Sequence, residues 1–138
     1  MGACIENTKK FFDEKGLRYE VLKDGKALRV GFGGLKNREA VKIIIIFDDS
    51  DRTVAIRAFD LCKIPADKVA NLYETCSDLN KQYRWIKFYV DDSDNTITAE
   101  ADAITTPDEA GDEVLEVVAR MTRIIDRAHP DIMKALWS

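Results

Sequence analysis

The chain carries the same phrase twice. Residues 43–56 read IIIIFDDSDRTVAI and residues 86–99 read IKFYVDDSDNTITA. Each is an apolar run, then Asp-Asp-Ser-Asp, one polar residue, Thr, and alternating apolar positions. Two strand-forming runs split by a short Asp/Ser/Asn cluster specify a β-hairpin, because Asp and Ser side chains bond back to nearby backbone in turns. Strand parity then sets the loops. Ile43, Ile45 and Phe47 share a face with Val54, Ile56 and Ala58 only if the loop is even, most simply the four residues from Asp49 to Arg52. Ile86, Phe88 and Val90 share a face with Ile97, Ala99 and Ala101 on the same condition. The alternative in the second hairpin is a three-residue loop with a bulge and Asn95 in the left-handed region.

A third hairpin precedes these two. In LRYEVLKDGKALRVGF the Asp24-Gly25 pair suits a type I′ turn, which needs positive φ at both central residues. Opposite residues then have numbers summing to 49. Leu17, Tyr19 and Val21 face Phe32, Val30 and Leu28 on one side, and Glu20 lies opposite Arg29 on the other. Ile5 to Lys15 reads as a helix with Ile5, Thr8 and Phe12 inward and Gly16 at its C-terminal cap. A second helix starts at Ile64-Pro65 and runs to about Gln82, with Val69, Leu72, Tyr73, Cys76 and Leu79 at helical spacing. Thr106-Pro107-Asp108-Glu109 reads as a capping box opening a third helix, which His129-Pro130 ends or kinks before a further turn from Asp131 to Trp137. The expectation is an α+β domain over residues 1–138, with a mainly antiparallel sheet of about six strands and three main helices in the order α-β-β-β-β-α-β-β-α.

Composition narrows the function classes. At 138 residues the chain is long enough to bury about two thirds of its unfolded surface without disulfides or metals. Net charge is −4, and no face or tail collects Lys and Arg, so nucleic acid is not an expected partner. No run approaches the roughly 18 apolar residues of a membrane span, and the first residues read as a start Met followed by small side chains rather than a signal or a myristoylation motif. The three cysteines, Cys4, Cys62 and Cys76, form no CxxC pair, which points to a reducing, cytoplasmic setting.

Catalytic chemistry finds little support. His129 is the sole histidine and sits beside a proline at an expected helix end, so a Cys-His or Ser-His pair would have to be built there. Cys76 falls on an apolar helix stripe. Asp48, Asp49, Asp51 and Asp91, Asp92, Asp94 offer hard oxygen ligands for Ca²⁺ or Mg²⁺, but neither loop has EF-hand spacing and turn chemistry explains both. The alternative function is a small-ligand or divalent-metal sensing domain using these acidic hairpin loops, and a divalent site between them requires that the fold bring them together. No catalytic residue, metal ligand or cofactor is expected.

The phrases GFGG, IIIIFDD, TVAIRAFDLCKIP, YRWIKFYVDD and NTITAEADA resemble the YbjN, or bacterial sensory transduction regulator, family, and the element order resembles the type III secretion chaperone-like fold. The resemblance runs from about Ile5 to Trp137. It implies no catalytic residues to carry over. The related chaperones are homodimers that hold extended client segments, so it implies a homodimer and a protein or peptide client.

The two repeated hairpins differ on their second face. In the first, Ile44 and Ile46 complete four isoleucines in a row, so both sides of that strand want cover. In the second, Trp85, Lys87 and Tyr89 share one side with Arg84 just before them. Trp, Tyr and Arg are enriched at binding hot spots, which makes Arg84, Trp85, Lys87, Tyr89, Ile44 and Ile46 the candidate partner-binding residues. The alternative is that a helix, or the Ile44/Ile46 face itself, covers the aromatics.

Overall fold

The structure, a computed structural model, describes residues 2–138; the start methionine lies outside them. Its elements follow the expected order: α1 (Ala3–Lys15), β1 (Glu20–Leu22), β2 (Ala27–Gly33), β3 (Ala40–Phe47), β4 (Thr53–Ala58), α2 (Val69–Gln82), β5 (Lys87–Asp91), β6 (Thr96–Ile104) and α3 (Ala110–Trp137). The six strands form one antiparallel sheet in the order β1-β2-β3-β4-β6-β5. The fold is α+β.

All three hairpins take the register that parity demands. Glu20 pairs with Arg29 and Val21 with Leu28, across a turn in which Asp24 and Gly25 both have positive φ. Ile45 pairs with Ile56 and Phe47 with Val54, leaving Asp49 to Arg52 as the loop. Val90 pairs with Ile97 and Asp91 with Thr96, leaving four residues again, although Asn95 also takes a positive φ of 53°. The matching loops are therefore not identical inside. In the first, the positive φ falls one place earlier, on Asp51, because Arg52 stands where the second loop has Asn95. Asn tolerates the left-handed region and Arg does not.

One face of the sheet is dry. Val30, Val41, Ile43, Ile45, Val54, Ile56, Ile97, Ala99 and Phe88 are buried beneath the helices. Most of the cover comes from α3, whose Val114, Val118, Met121, Ile125, Ala128, Ile132 and Ala135 form one buried stripe. From α1 come Ile5 and Phe12, and from α2 come Leu72, Cys76 and Leu79. Thr8 is buried with its hydroxyl donating to the Cys4 carbonyl at 2.8 Å, so the polar group is satisfied inside the helix. Gly16 closes α1 in the left-handed conformation, as expected.

Four local expectations change. First, α3 begins at Ala110 rather than at a Thr106 capping box: residues 106–109 make a turn, and the Glu113 carboxylate accepts instead from the Thr105 hydroxyl. Second, α3 runs unbroken through Pro130. Proline in a helix interior costs about 3 kcal/mol through its lost N–H and its clash. Pro130, however, lies on the solvent side while Ile132 and Ala135 continue the buried stripe, and that burial outweighs the break. Third, β1 is only three residues long, so Val21 at the sheet edge is exposed while Leu17 and Tyr19 pack on the core from outside the strand. Fourth, Tyr73 is exposed on α2.

The N-terminus of α1 is held by one of the acidic loops. Asp51 accepts from the Ala3 N–H at 2.7 Å and the Cys4 N–H at 2.9 Å, and its own carbonyl accepts from the Cys4 thiol at 3.0 Å. Gly2 at the cap position has no side chain to do this, so a carboxylate 48 residues away supplies the acceptor and meets the positive helix end. Those hydrogen bonds hold the Asp51 carboxyl below its ordinary pKa.

The α1–α3 crossing rests on a missing side chain. A Cβ on Gly111 would lie 2.5 Å from Phe11 Cβ and 2.8 Å from Phe11 Cγ, and the Gly111 N–H donates to Asn7 Oδ1 at 3.0 Å. Gly111→Ala must push the two helices apart and is expected to lower stability by about 1–3 kcal/mol in urea denaturation. A Gly111→Ala protein as stable as the parent would mean that the helices do not approach this closely.

Candidate functional site

Opposite the helices, the second face of the sheet is uncovered, and its residues line up in rows. One row crosses all six strands: Glu20, Arg29, Ile44, Arg57, Glu100 and Lys87. A neighbouring row holds Leu22, Ala27, Ile46, Ala55 and Asp102. Ile44 and Ile46 are half-buried there, held between Arg29 or Ala27 on one side and Arg57 or Ala55 on the other. Arg57 is the organising charge. Its guanidinium pairs with Glu100 at 3.2 Å and Asp102 at 3.0 Å and donates to the carbonyls of Ile56 and Ala101. Glu20 and Arg29 pair at 2.6 Å at the far edge. Tyr89 is 36% exposed and Phe59 is also exposed, while Thr98, on this face by alternation, is buried with its hydroxyl unpartnered.

The six candidate binding residues are divided between two places. Ile44, Ile46 and Tyr89 lie on the uncovered face, as does Lys87 by its strand position. The Lys87 ammonium, though, donates to the carbonyls of Asn80 at 2.9 Å and Tyr83 at 3.1 Å, closing the C-terminal end of α2. Trp85 does not share the face with Tyr89. It precedes β5 with φ 77° at the centre of a γ-turn, in which the Ile86 N–H donates to the Arg84 carbonyl at 2.9 Å. The turn swings Ile86 into the core and leaves Trp85 61% exposed, with the Arg84 guanidinium 5.2 Å from the indole centre.

The turn at Trp85 opens a groove that sequence reasoning missed. Continuing the β5–β6 register would set Trp85 opposite Asp102, but β5 begins only at Lys87. Beyond Glu100, β6 has β4 on one side and no strand on the other. The groove there has a volume of about 440 Å³ and is lined by Trp85, Ala101, Ala103 and Val117, with Asp102, Asp112, Glu113, Glu116 and Arg120. Two signals in the sequence pointed to it: the apolar-alternating run TITAEADAI outlasts its partner FYVD, and acidic residues crowd PDEAGDEVLE.

The acidic loops do not meet. Because β4 and β6 are antiparallel, with Thr53 opposite Ile104, the 49–52 and 92–95 loops sit at opposite ends of the sheet. A metal site spanning both is excluded by this topology. Their carboxylates serve the turns: Asp48 accepts from Ser50 at 2.6 Å and from Thr53, and Asp91 accepts from Ser93 at 2.6 Å. Among the described residues no group of three His, Cys, Asp or Glu side chains is placed to hold a metal ion. No helix among them is long and apolar enough to cross a membrane.

The thiols are quiet. Burial pushes Cys4, Cys62 and Cys76 up to about 11, and the bond to Asp51 adds to the effect at Cys4. Thiolate is scarce at neutral pH at such values. His129 does not end a helix as expected, since α3 continues past it. Its Nδ1 is buried without a partner, as is Nη1 of Arg38. Asp126, one turn earlier, accepts from the backbone N–H groups of Asn37 at 2.8 Å and Arg38 at 3.2 Å.

The family described as "YbjN: Putative bacterial sensory transduction regulator" matches residues 6–128 of the chain. Among solved structures, the one described as "Crystal structure of YbjN, a putative transcription regulator from E. coli" is similar, with a TM-score of 0.66 and 16% identity over 92% of each chain. At that identity the likeness is one of fold. The curated proteins offer no match.

Burial, and then the nearby Arg38 guanidinium, lower the His129 pKa below its usual 6.5, with Asp126 acting the other way. The folded state therefore resists protonation more than the unfolded chain does. Stability is full above the unfolded value of about 6.5 and falls as pH drops through the folded value. The melting temperature is expected to fall between about pH 7 and about pH 5, and His129→Phe should flatten that part of the profile. Identical pH profiles for the two proteins would show that the imidazole does not titrate in this environment.

Proposed function

The chain belongs to the YbjN family, and we propose that it acts as a non-catalytic regulatory module that binds protein through its uncovered sheet face, as a homodimer. One observation carries this reading: three helices cover one face of a six-stranded sheet and leave the other bare. That face is about 24 Å wide over five strand spacings and about 20 Å long over six residues, or on the order of 500 Å² in projection. A standard interface takes about 800 Å² per partner, so one sheet face with its rim is the right size.

The chemistry of the face supports a protein partner over a small ligand. Ile44, Ile46, Ala55, Phe59 and Tyr89 offer apolar contact, while the Arg57–Glu100–Asp102 cluster is fixed in place by its own bonds. Apolar patches interleaved with held charges suit a surface that must be soluble alone and adhesive when matched. Three unpaired cysteines fit a cytoplasmic setting. Regulation by binding needs no reactive group, which agrees with thiols pushed up to about 11.

The double variant Ile44→Asp/Ile46→Asp places two charges on this face without touching the core side of β3. The parent protein is expected to sediment as a dimer at micromolar concentration and the variant as a 15.6 kDa monomer with an unchanged far-UV spectrum. A parent protein that is monomeric at high micromolar concentration, or a folded variant that stays dimeric, would sink the proposal.

A further inference from the structure

We propose that the groove between Trp85, the open edge of β6 and the first turns of α3 takes an extended, lysine- or arginine-bearing segment of another protein as an added strand of the sheet. This is a different surface from the uncovered face and makes a separate claim.

The backbone supplies the first part. In an antiparallel ladder, successive residues of one strand direct their N–H and C=O groups to opposite sides. The Thr105 N–H donates to the Arg52 carbonyl at 2.8 Å, and the Ile97 N–H donates to the Cys62 carbonyl at 3.2 Å. Odd-numbered residues of this stretch therefore face β4 and the chain that follows it. Even-numbered ones face β5, where Thr96, Thr98 and Glu100 meet Asp91, Tyr89 and Lys87. Asp102 and Ile104 come next, and their backbone groups face a lane that β5 has vacated. The γ-turn at Trp85 is what empties it.

Other edges of the sheet are guarded. The Asn80 side chain donates to the Phe88 carbonyl at 3.0 Å and accepts from the Phe88 N–H at 2.8 Å, sealing the outer side of β5. The opposite edge strand, β1, is only three residues long. Short edges and covering groups are the ordinary defences against strand addition. The lane beside Asp102 and Ile104 has neither, and Ile104 is 77% exposed.

Charge selects the occupant. Asp102 flanks the lane on the uncovered face of the sheet, and Asp112, Glu113 and Glu116 flank it from α3. Arg120 is the one cation in the lining; it pairs with Glu116 at 3.0 Å, Asp102 pairs with Arg57 at 3.0 Å and Glu113 accepts from the Thr105 hydroxyl, so the lining keeps an excess of negative charge with Asp112 free of any such partner among the described residues. Side chains of an added strand point alternately to the two sides, so basic residues meet Asp102, which is 70% exposed beside Arg57, on one side and Asp112 on the other. Val117, Ala101, Ala103 and the indole of Trp85 floor the groove for the apolar stems of such residues. A second copy of this chain is a poor occupant, because antiparallel pairing of two β6 edges brings the two acidic linings together.

The test uses a fluorescein-labelled (Lys-Val)4 peptide, its (Glu-Val)4 counterpart and the full-length protein. The basic peptide is expected to bind, more weakly as salt is raised, and the acidic one not. Trp85→Gly relieves the positive φ and so keeps the turn, yet removes the indole. It should fold at least as well as the parent while binding the basic peptide about 30-fold more weakly, the loss of a hot-spot aromatic. Amide exchange at Asp102 and Ile104 should slow in the complex. Equal binding of both peptides, full affinity in Trp85→Gly, or unchanged exchange at Asp102 and Ile104 overturns the inference. The Ile44→Asp/Ile46→Asp protein should keep its affinity for the basic peptide. Loss of affinity there puts the peptide on the uncovered face, which defeats the groove and leaves the preceding proposal standing.

Discussion

The burial of α3 against one side of the sheet is the interaction on which the rest of the molecule depends. Val114, Val118, Met121, Ile125 and Ile132 are each 1% exposed or less. At about 1.5–3 kcal/mol for a fully buried large apolar side chain, these five contribute roughly 7–15 kcal/mol of gross burial. That is the size of a whole domain's net stability. A helix anchored so strongly tolerates a proline in its interior. It also sets where everything else can go: α1 crosses it at the bare Gly111 backbone, and α2 packs beside it over β5. With three helices gathered around that stripe, none is left for the other face.

That second face is kept soluble by the way its rows alternate. Arg57 stands at its centre with Glu100 and Asp102, and the Glu20–Arg29 pair stands at the rim. Isolated surface ion pairs contribute little to stability, but Arg57 is more than a surface pair, since its side chain is four-fifths covered and bonded to two carboxylates. In the proposed interface these fixed charges act on specificity, and the half-buried Ile44 and Ile46 supply the apolar contact.

Much of the fold was legible in the residues, and the reason is parity. A one-residue slip in any hairpin would turn Ile43, Ile45 and Ile56 out of the core, so the apolar alternation alone determined register and loop length. What escaped was decided at longer range. The Thr106 to Glu109 pattern satisfies a capping rule, yet Glu113 bonds to Thr105 instead and the helix starts later. Asp51 looked like a turn residue, and nothing near it in sequence announces that it caps a helix 47 residues earlier. The candidate site was half legible: Ile44, Ile46 and Tyr89 are on the bare face, but Trp85 left it because α2 ends only three residues before and the chain must turn to enter β5. The acidic groove depends on α3 lying beside β6, which is a tertiary fact with only faint local traces.

Trp85 is the place where local preference and overall structure conflict most sharply. A bulky residue held at positive φ costs on the order of 1–3 kcal/mol. The cation–π contact with Arg84 returns about 0.5–1 kcal/mol at an exposed site, which is too little. Burial of Ile86 does offset the turn, because the turn is what admits Ile86 to the core. That accounts for the backbone and not for the indole, since Gly would make the same turn without the strain. The isolated chain gains nothing visible from a tryptophan there that is 61% exposed. In the proposed complex, an aromatic side chain held against its backbone preference beside an unpaired strand edge has its compensation in the contact made when that edge is occupied.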